Sequence, residues 1–262
     1  MAAWRRRRLG LDVALAARVG GDAFGAAIVE ELEGEGVDCA LVRRWPGRRS
    51  AVSAVMVDAG GERMLVNYKD PDMESGVDWL PAELPAGIDG VLGDSHWEAG
   101  TAHFFRLARA KAKPAILDAD RWVASREILE SATHIGFSAR ALREYTVAEC
   151  LPDALAQFQA RVGAWLAVTD GENGAYFMED GGVCHEPAFK VEAMETNGAG
   201  DVWHGALAAA ILEGQPMRAA VRFANAAASL KCARRGGRAG IPTRAEIAAL
   251  PTLSEAPAAR WR

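Results

Sequence analysis

The chain has 262 residues, 50% of them hydrophobic, with 30 Lys+Arg against 35 Asp+Glu and a formal net charge of -5. That suits one large α/β domain or two small ones, and a mildly acidic balance gives no general reason to expect nucleic acid or a membrane surface as partner. The four cysteines, Cys39, Cys150, Cys184 and Cys232, form no C-x-x-C pair, no apolar run is long enough to span a bilayer, and the N-terminus lacks a signal-peptide core, so the expectation is a cytoplasmic protein with reduced thiols.

Along the chain, the run Arg5-Arg6-Arg7-Arg8 reads as a solvated helix face. The segment "SAVSAVMVDAGGERMLVNY" alternates like two strands around the turn Asp58-Ala59-Gly60-Gly61, a hairpin spanning about 51–68. The rhythm then changes. Four short apolar runs, "GVLGD" (90–94), "PAILDAD" (114–120), "THIGFS" (133–138) and "AWLAVTDG" (164–171), alternate with helix-like segments. Buried strands alternating with helices predict βαβ units and a mainly parallel sheet with helices on both faces. Ligands bind beyond the carboxyl ends of such strands, which here carry Asp94, Asp118, Asp120, Ser138 and Asp170. Each alone could be a turn cap; the set reads as the floor of a cleft.

The C-terminal part is helical. "DVWHGALAAAILEG" stops at Gly214, "RAAVRFANAAASLKCARRGG" stops at Gly236-Gly237, and "TRAE" (243–246) is a capping-box pattern after Pro242. A single domain over 1–250 is expected, with 251–262, rich in Pro and Ala, as a loose tail. The five histidines show no metal-ligand spacing; His204 reads as a packing residue on the helix after Asp201.

The stretch "ETNGAGDVWHGA" (195–206) carries the chemistry. Gly198 and Gly200 would let a helix N-terminus meet a phosphate without obstruction. An ionised acid at that place repels a resting phosphate but can accept a proton from an attacking hydroxyl, the base role in phosphoryl transfer. The competing reading is a plain turn with Asp201 as N-cap.

The neighbours weigh against the plain turn, because the stretch resembles the C-terminal signature of the ribokinase-like (PfkB) carbohydrate kinases, D-T-x-G-A-G-D-x-F-x-G-A. "RLGLDVALAARVGGDAFGAAIVEELEGEGVD" resembles the family's G-x-x-G-D-D-x-x-G segment, "GERMLVNY" its substrate-side hairpin, "LAVTDGENGAYF" its nucleotide-side strand and turn, and "RFANAAASLKCARRGGRAGIP" its adenine-side helix and closing loop. Within the family, "DWLP", "GDSHW", "LARAKAKPAILDAD" and "HEPAFKVEAMETNGAGDVWHGALA" resemble the sulfofructose kinase branch.

The resemblance implies a Rossmann-like α/β fold with a small, incomplete β lid, and transfer of the γ-phosphate of ATP, with Mg²⁺, to a sugar hydroxyl. It implies Asp201 as catalytic base, Gly198, Ala199 and Gly200 as anion hole, Thr169, Gly171 and Gly174 as nucleotide loop, and Asn225 on the helix flanking the adenine. Asn67 matches a hairpin position that faces sugar in the branch. Gly20, Gly21 and Asp22 match an early glycine–acid turn without a direct contact. A homodimer through the lids is left open.

Departures from the pattern matter. Glu195 stands where the family usually has an Asp that helps hold a monovalent cation, so potassium dependence is open. Asn197 replaces a Thr or Ala, and Ser138-Ala139-Arg140-Ala141 stands where N-x-x-E is usual. His96 stands where the branch tends to have Arg for the substrate's anionic group, and a neutral imidazole matches a sulfonate poorly. The family's first strand, with a sugar-binding Asp, and a G-G motif have no counterpart before "MAAWRRRRLG". The expectation is therefore a reading frame extending upstream of Met1, and a poorly soluble or nearly inactive chain as written. The alternative to a sugar kinase is a catalytically impaired nucleotide- or sugar-binding protein; a dinucleotide-dependent oxidoreductase is disfavoured because no G-x-G-x-x-G follows an early strand.

Overall fold

A strand, a crossover helix and a second strand occupy residues 14–45. In the computed structural model, which describes residues 9–57, 63–250 and 260–261, β1 (Ala14–Gly20) pairs in parallel with β2 (Asp38–Trp45) across α1 (Ala23–Gly34). The carboxylate of Asp22 caps α1 by accepting from Gly25 N, and it also accepts from Ser50 N and Ser50 Oγ. The Ser50 hydroxyl foremost, then the two N–H groups, hold that carboxyl below its ordinary value. A side chain at Gly20 or Gly25 would collide with backbone, that of residues 48–50 or of Gly20 respectively. The early glycine–acid turn thus serves local packing and capping.

Next come β3 (Val52–Val57) and β4 (Arg63–Tyr68), an antiparallel hairpin in register from Val52 opposite Tyr68 to Val57 opposite Arg63. Several of its apolar side chains are exposed, Met64 at 62% and Val66 at 56%. These elements belong to one compact unit, Asp12–Leu80. The Arg5–Arg8 run, the turn at 58–61 and residues 251–259 of the tail lie outside the described residues.

The second unit holds a seven-stranded sheet. The four apolar runs read from the sequence become β5 (Val91–Asp94), β6 (Ala115–Ala119), β7 (His134–Ser138) and β8 (Trp165–Thr169), neighbours in that order and all parallel. Then β9 (Ala175–Glu179) and β10 (Gly182–Glu186) add antiparallel, and the backbone of β11 (Arg260–Trp261) pairs with β10 at the edge. The crossover segments are α2 (Glu98–Ala110), α3 (Arg126–Ser131), and α4 (Ala139–Tyr145) with α5 (Leu151–Gln159).

Strand alternation assigns the two faces. Leu117, Ile135, Phe137, Leu166 and Val168 pack with Phe105, Leu142, Leu155 and Phe158 of the crossover helices. Each such side chain, fully buried, is worth roughly 1.5–3 kcal/mol. The opposite face carries Ile116 and Gly136, and a Cβ at Gly136 would strike Trp203 and His204. Those two belong to α6 (Ala199–Leu212), which is followed by α7 (Met217–Cys232) and the short α8 (Arg244–Ala248). Thr243 and Glu246 form the anticipated capping box of α8. Helices therefore cover both sheet faces, as patterning implied.

Candidate active site

The turn before α6 is built by Gly198, whose φ of 75° and ψ of 8° are left-handed, and by Ala199, which takes the first helical position. The helix thus begins two residues before the Asp201–Val202 start read from the sequence, and Asp201 falls in its first turn. Gly198 makes the earlier start accessible, because glycine has no Cβ to oppose a positive φ. The Ala199 N–H is spent on Thr196 O at 3.2 Å. Gly200 and Asp201, also in the first turn, have no carbonyl within the helix to which their N–H groups could bond. A Cβ at Gly200 would meet nothing within 4 Å, so the approach to this turn is open. Asn197, Gly198 and Asp201 line a pocket of about 190 Å³ together with Lys231, Gly237 and Arg238.

Behind the turn lies a buried pair that sequence reading missed. His204, 3% exposed, sets Nδ1 at 2.9 Å from Gly200 O and 3.3 Å from Asp118 Oδ1, with Nε2 at 3.0 Å from Gly136 O. Gly200 O and Gly136 O are carbonyls that can only accept, so the ring is held between acceptors on two segments. His204 is therefore more than packing: it ties the Gly200 carbonyl to β6 and β7. Burial pushes the Asp118 carboxyl up, His204 opposes, and Asp201, Asp120 and Asp94 add to the rise. The available sequence signal was the spacing of Gly200 and His204, one helical turn apart.

A second polar cluster sits at the carboxyl ends of β5 and β6. Asp120 accepts from Ser95 Oγ at 2.7 Å and from Arg121 Nε at 3.3 Å, and His96 Nε2 lies 3.3 Å from its other oxygen. Partial burial pulls the Asp120 carboxyl upward, but hydrogen bonds from His96, Ser95 and Arg121 prevail and hold it well below the ordinary carboxylate range. Arg121 Nη2 stands 3.1 Å from His96 Nε2, so a guanidinium lies beside the imidazole although position 96 itself carries none. Asp94 accepts from His96 N and Ser138 caps α4, so at both the cap reading holds locally.

The nucleotide-loop candidates form a tight turn. Thr169 Oγ1 donates to Phe137 O at 3.3 Å; Asp170 N donates to Gly174 O at 2.8 Å; Gly171 and Gly174 have φ of 56° and 100°. Asn225, 3% exposed, accepts from Trp203 Nε1 at 2.8 Å and donates to Glu186 O and Pro187 O. Its amide thus joins α6 to the segment against which Gly174 packs. Neither the turn nor Asn225 lines the pocket around Asp201. Asn67 belongs to the other unit, on β4, where its Oδ1 accepts from Ser53 Oγ at 2.6 Å.

A Cβ at Gly174 would overlap the backbone of Glu186, Pro187 and Ala188. Gly174→Ala adds that collision to the strain of a positive φ, itself about 1–3 kcal/mol, and the expected loss is at least about 3 kcal/mol of unfolding free energy. Urea denaturation checks this; a midpoint shift equivalent to less than about 1 kcal/mol refutes it.

A parallel sheet with acids at its strand ends, and an open glycine turn beside an acid at a helix start, define an α/β enzyme built to handle phosphate. The chain belongs to the pfkB family of carbohydrate kinases, whose model matches residues 6–244. Its relatives include the ribokinase of Bacillus subtilis (strain 168), 28% identical over 244 residues covering 92% of this chain and 82% of the relative. Fructokinase-1 of Zea mays is 29% identical over 270 residues, 92% of this chain and 83% of the relative. Among solved structures, a crystal structure from Agrobacterium tumefaciens assigned as a ribokinase has a TM-score of 0.88 at 37% identity, covering 94% of this chain and 82% of that one. The Arabidopsis thaliana ribokinase complexed with ribose and ATP has a TM-score of 0.79 at 22% identity, covering 94% and 84%, a likeness of fold. The ribokinase-like fold and a PfkB-type phosphotransferase are thus established. Among the described residues, no helix is long and apolar enough to cross a membrane.

Proposed function

We propose that the protein transfers the γ-phosphate of ATP to a hydroxyl of a small sugar, with Asp201 as general base and the turn Gly198-Ala199-Gly200 as the anion-binding element. The observation that carries this reading is the pocket lined by both Gly198 and Asp201, the two ends of a turn whose Gly200 leaves the approach open. Asp201 Oδ would take the proton of the sugar hydroxyl as it attacks. The N–H groups of Gly200 and Asp201, at the positive end of α6, would stabilise the charge gathering on the phosphoryl oxygens. His204 would keep the Gly200 carbonyl fixed while that charge forms.

Magnesium suits such a site in one respect. Among the described residues, no group of three or more His, Cys, Asp or Glu could ring a metal ion, and magnesium is commonly held by one or two carboxylates plus the substrate's own phosphates. Bound in that way, it would neutralise phosphate charge during transfer. The acids at the strand ends would supply those carboxylates within this proposal, leaving Asp201 as the base.

Substrate choice is proposed to turn on His96. Its Nε2 lies 3.1 Å from Arg121 Nη2 and 3.3 Å from Asp120 Oδ2, and Arg121 is itself paired with Asp120, so both side chains are already engaged by a carboxylate. Neutral or carboxylate sugars are therefore expected to outcompete a sulfonated ketose, and His96→Arg is expected to shift preference towards anionic sugars. A panel of ribose, fructose, a keto-deoxy sugar acid and sulfofructose, read as ATP-dependent phosphorylation, tests both statements. A wide win for the sulfonated ketose, or an unchanged profile in His96→Arg, refutes the substrate reading. Nucleotide binding without turnover of any sugar would favour the binding-protein alternative.

A further inference from the structure

Glu195 stands where the family usually has an Asp that helps hold a monovalent cation, and the residues around it do not fit such an ion. Lys231, on α7, is 2% exposed. Its ammonium donates to Glu195 O at 3.2 Å and to Glu195 Oε1 at 3.3 Å. The second carboxylate oxygen, Oε2, accepts from Gly236 N at 3.1 Å and Gly237 N at 3.2 Å. Each oxygen of the Glu195 side chain, and its main-chain carbonyl, thus already faces a donor. The N–H of Gly237 foremost, with Lys231 and Gly236, outweighs partial desolvation and holds the Glu195 carboxyl below its ordinary value. A second cation on these oxygens would meet a fixed positive charge a few ångströms away.

The cluster also borders the reaction. Lys231 and Gly237 line the same pocket as Asn197, Gly198 and Asp201, and Glu195 lies two residues before Asn197. Met194 N and Glu195 N both donate to Cys232 O, at 2.8 and 3.0 Å, so the irregular segment leading into the turn is tied to the end of α7. One carboxylate therefore joins three segments: the entry to the Asn197–Asp201 turn, the end of α7 and the loop at Gly236–Gly237.

We propose that Lys231 is a built-in substitute for a monovalent cation: its ammonium carries the single positive charge and takes the carbonyl and carboxylate oxygens that a bound potassium ion would take. Lys231 is a positioning residue. It holds Glu195, and through it the turn that binds the phosphates, so that this enzyme works without added potassium. An ammonium and a potassium ion carry equal charge and both accept oxygen ligands. Deleting the lysine side chain should therefore leave a cavity that a small cation can enter.

The role in turnover rests on the proposed kinase reaction; the nucleotide-affinity measurement does not. The test uses the full chain and a fluorescent ATP analogue with magnesium. Affinity is titrated in choline, potassium or ammonium chloride at constant ionic strength, which removes general screening effects. Wild-type affinity is expected to be equal in all three salts. Lys231→Ala is expected to lose about tenfold or more in choline, less than the 10²–10³-fold typical of removing a donor that touches the reacting charge itself. Potassium or ammonium should restore most of that loss. Lys231→Met, which refills the space with an uncharged stem, should lose affinity and not recover. Wild-type affinity or turnover that rises severalfold with potassium overturns the proposal, and this comparison stands even if the variants fold poorly. A cooperatively melting Lys231→Ala that binds as wild type in choline also overturns it, as does a loss that no cation restores. Unchanged nucleotide binding without sugar phosphorylation would instead count against the kinase reading alone.

Discussion

Asp201→Asn is expected to abolish phosphoryl transfer while nucleotide affinity stays close to wild type. The amide has the shape of the carboxylate and still occupies the first turn of α6, but it cannot take the proton of an attacking hydroxyl. Removing a general base costs about 10²–10⁴-fold in turnover, and that is the least expected here. The Asn side chain also no longer opposes the phosphates with its charge, so binding has no reason to weaken. Steady-state kinetics beside an equilibrium titration of the ATP analogue separates the two effects. Turnover of Asp201→Asn within tenfold of the wild-type rate refutes the base assignment. Parallel losses in turnover and nucleotide binding would show that the residue shapes the turn and is not the base.

His204→Leu is expected to have the largest effect on stability. The substitution leaves the Asp118 carboxyl buried without its imidazole partner, and takes from Gly200 O and Gly136 O the ring nitrogens that face them. A buried polar group left unsatisfied costs about 1–3 kcal/mol, and three such groups lose a partner here. Much of the cost should sit in the stranded Asp118 carboxyl, so the double variant His204→Leu/Asp118→Asn should recover part of the loss. Urea unfolding of the wild type and both variants measures this. A single-variant loss below about 1 kcal/mol would be ordinary for a surface position and would refute the pair. A double variant no more stable than the single would show that the carboxylate was never the cause. Turnover should fall in both variants, since the Gly200 carbonyl loses its tether in each.

The sheet was legible in the sequence because its signals are local. Four short apolar runs ending in polar residues state strand length, burial on both faces and the side on which acids gather, and β5 to β8 appear where those runs lie. The hairpin at β3–β4 and the capping box of α8 were legible for the same reason: alternation and a four-residue cap need no knowledge of distant chain. The glycines before Asp201 were legible as an open helix start, since only the absence of a side chain was at issue.

Only the tertiary structure decided what those residues face. Lys231 reads in sequence as one basic residue near the end of an amphipathic helix, yet it is 2% exposed on a carboxylate 36 positions away. Asn225 reads as a polar residue on a helix next to the nucleotide, yet its amide is spent on Trp203 and on the main chain at 186–187. His204 carries no sign of Asp118, and nothing in "GDSHW" shows that Arg121 stands beside His96. Each case has the same physical reason. Periodicity states which way a side chain leaves its own helix or strand, whereas a buried charge needs a partner, and the partner is chosen by packing between elements far apart in the chain.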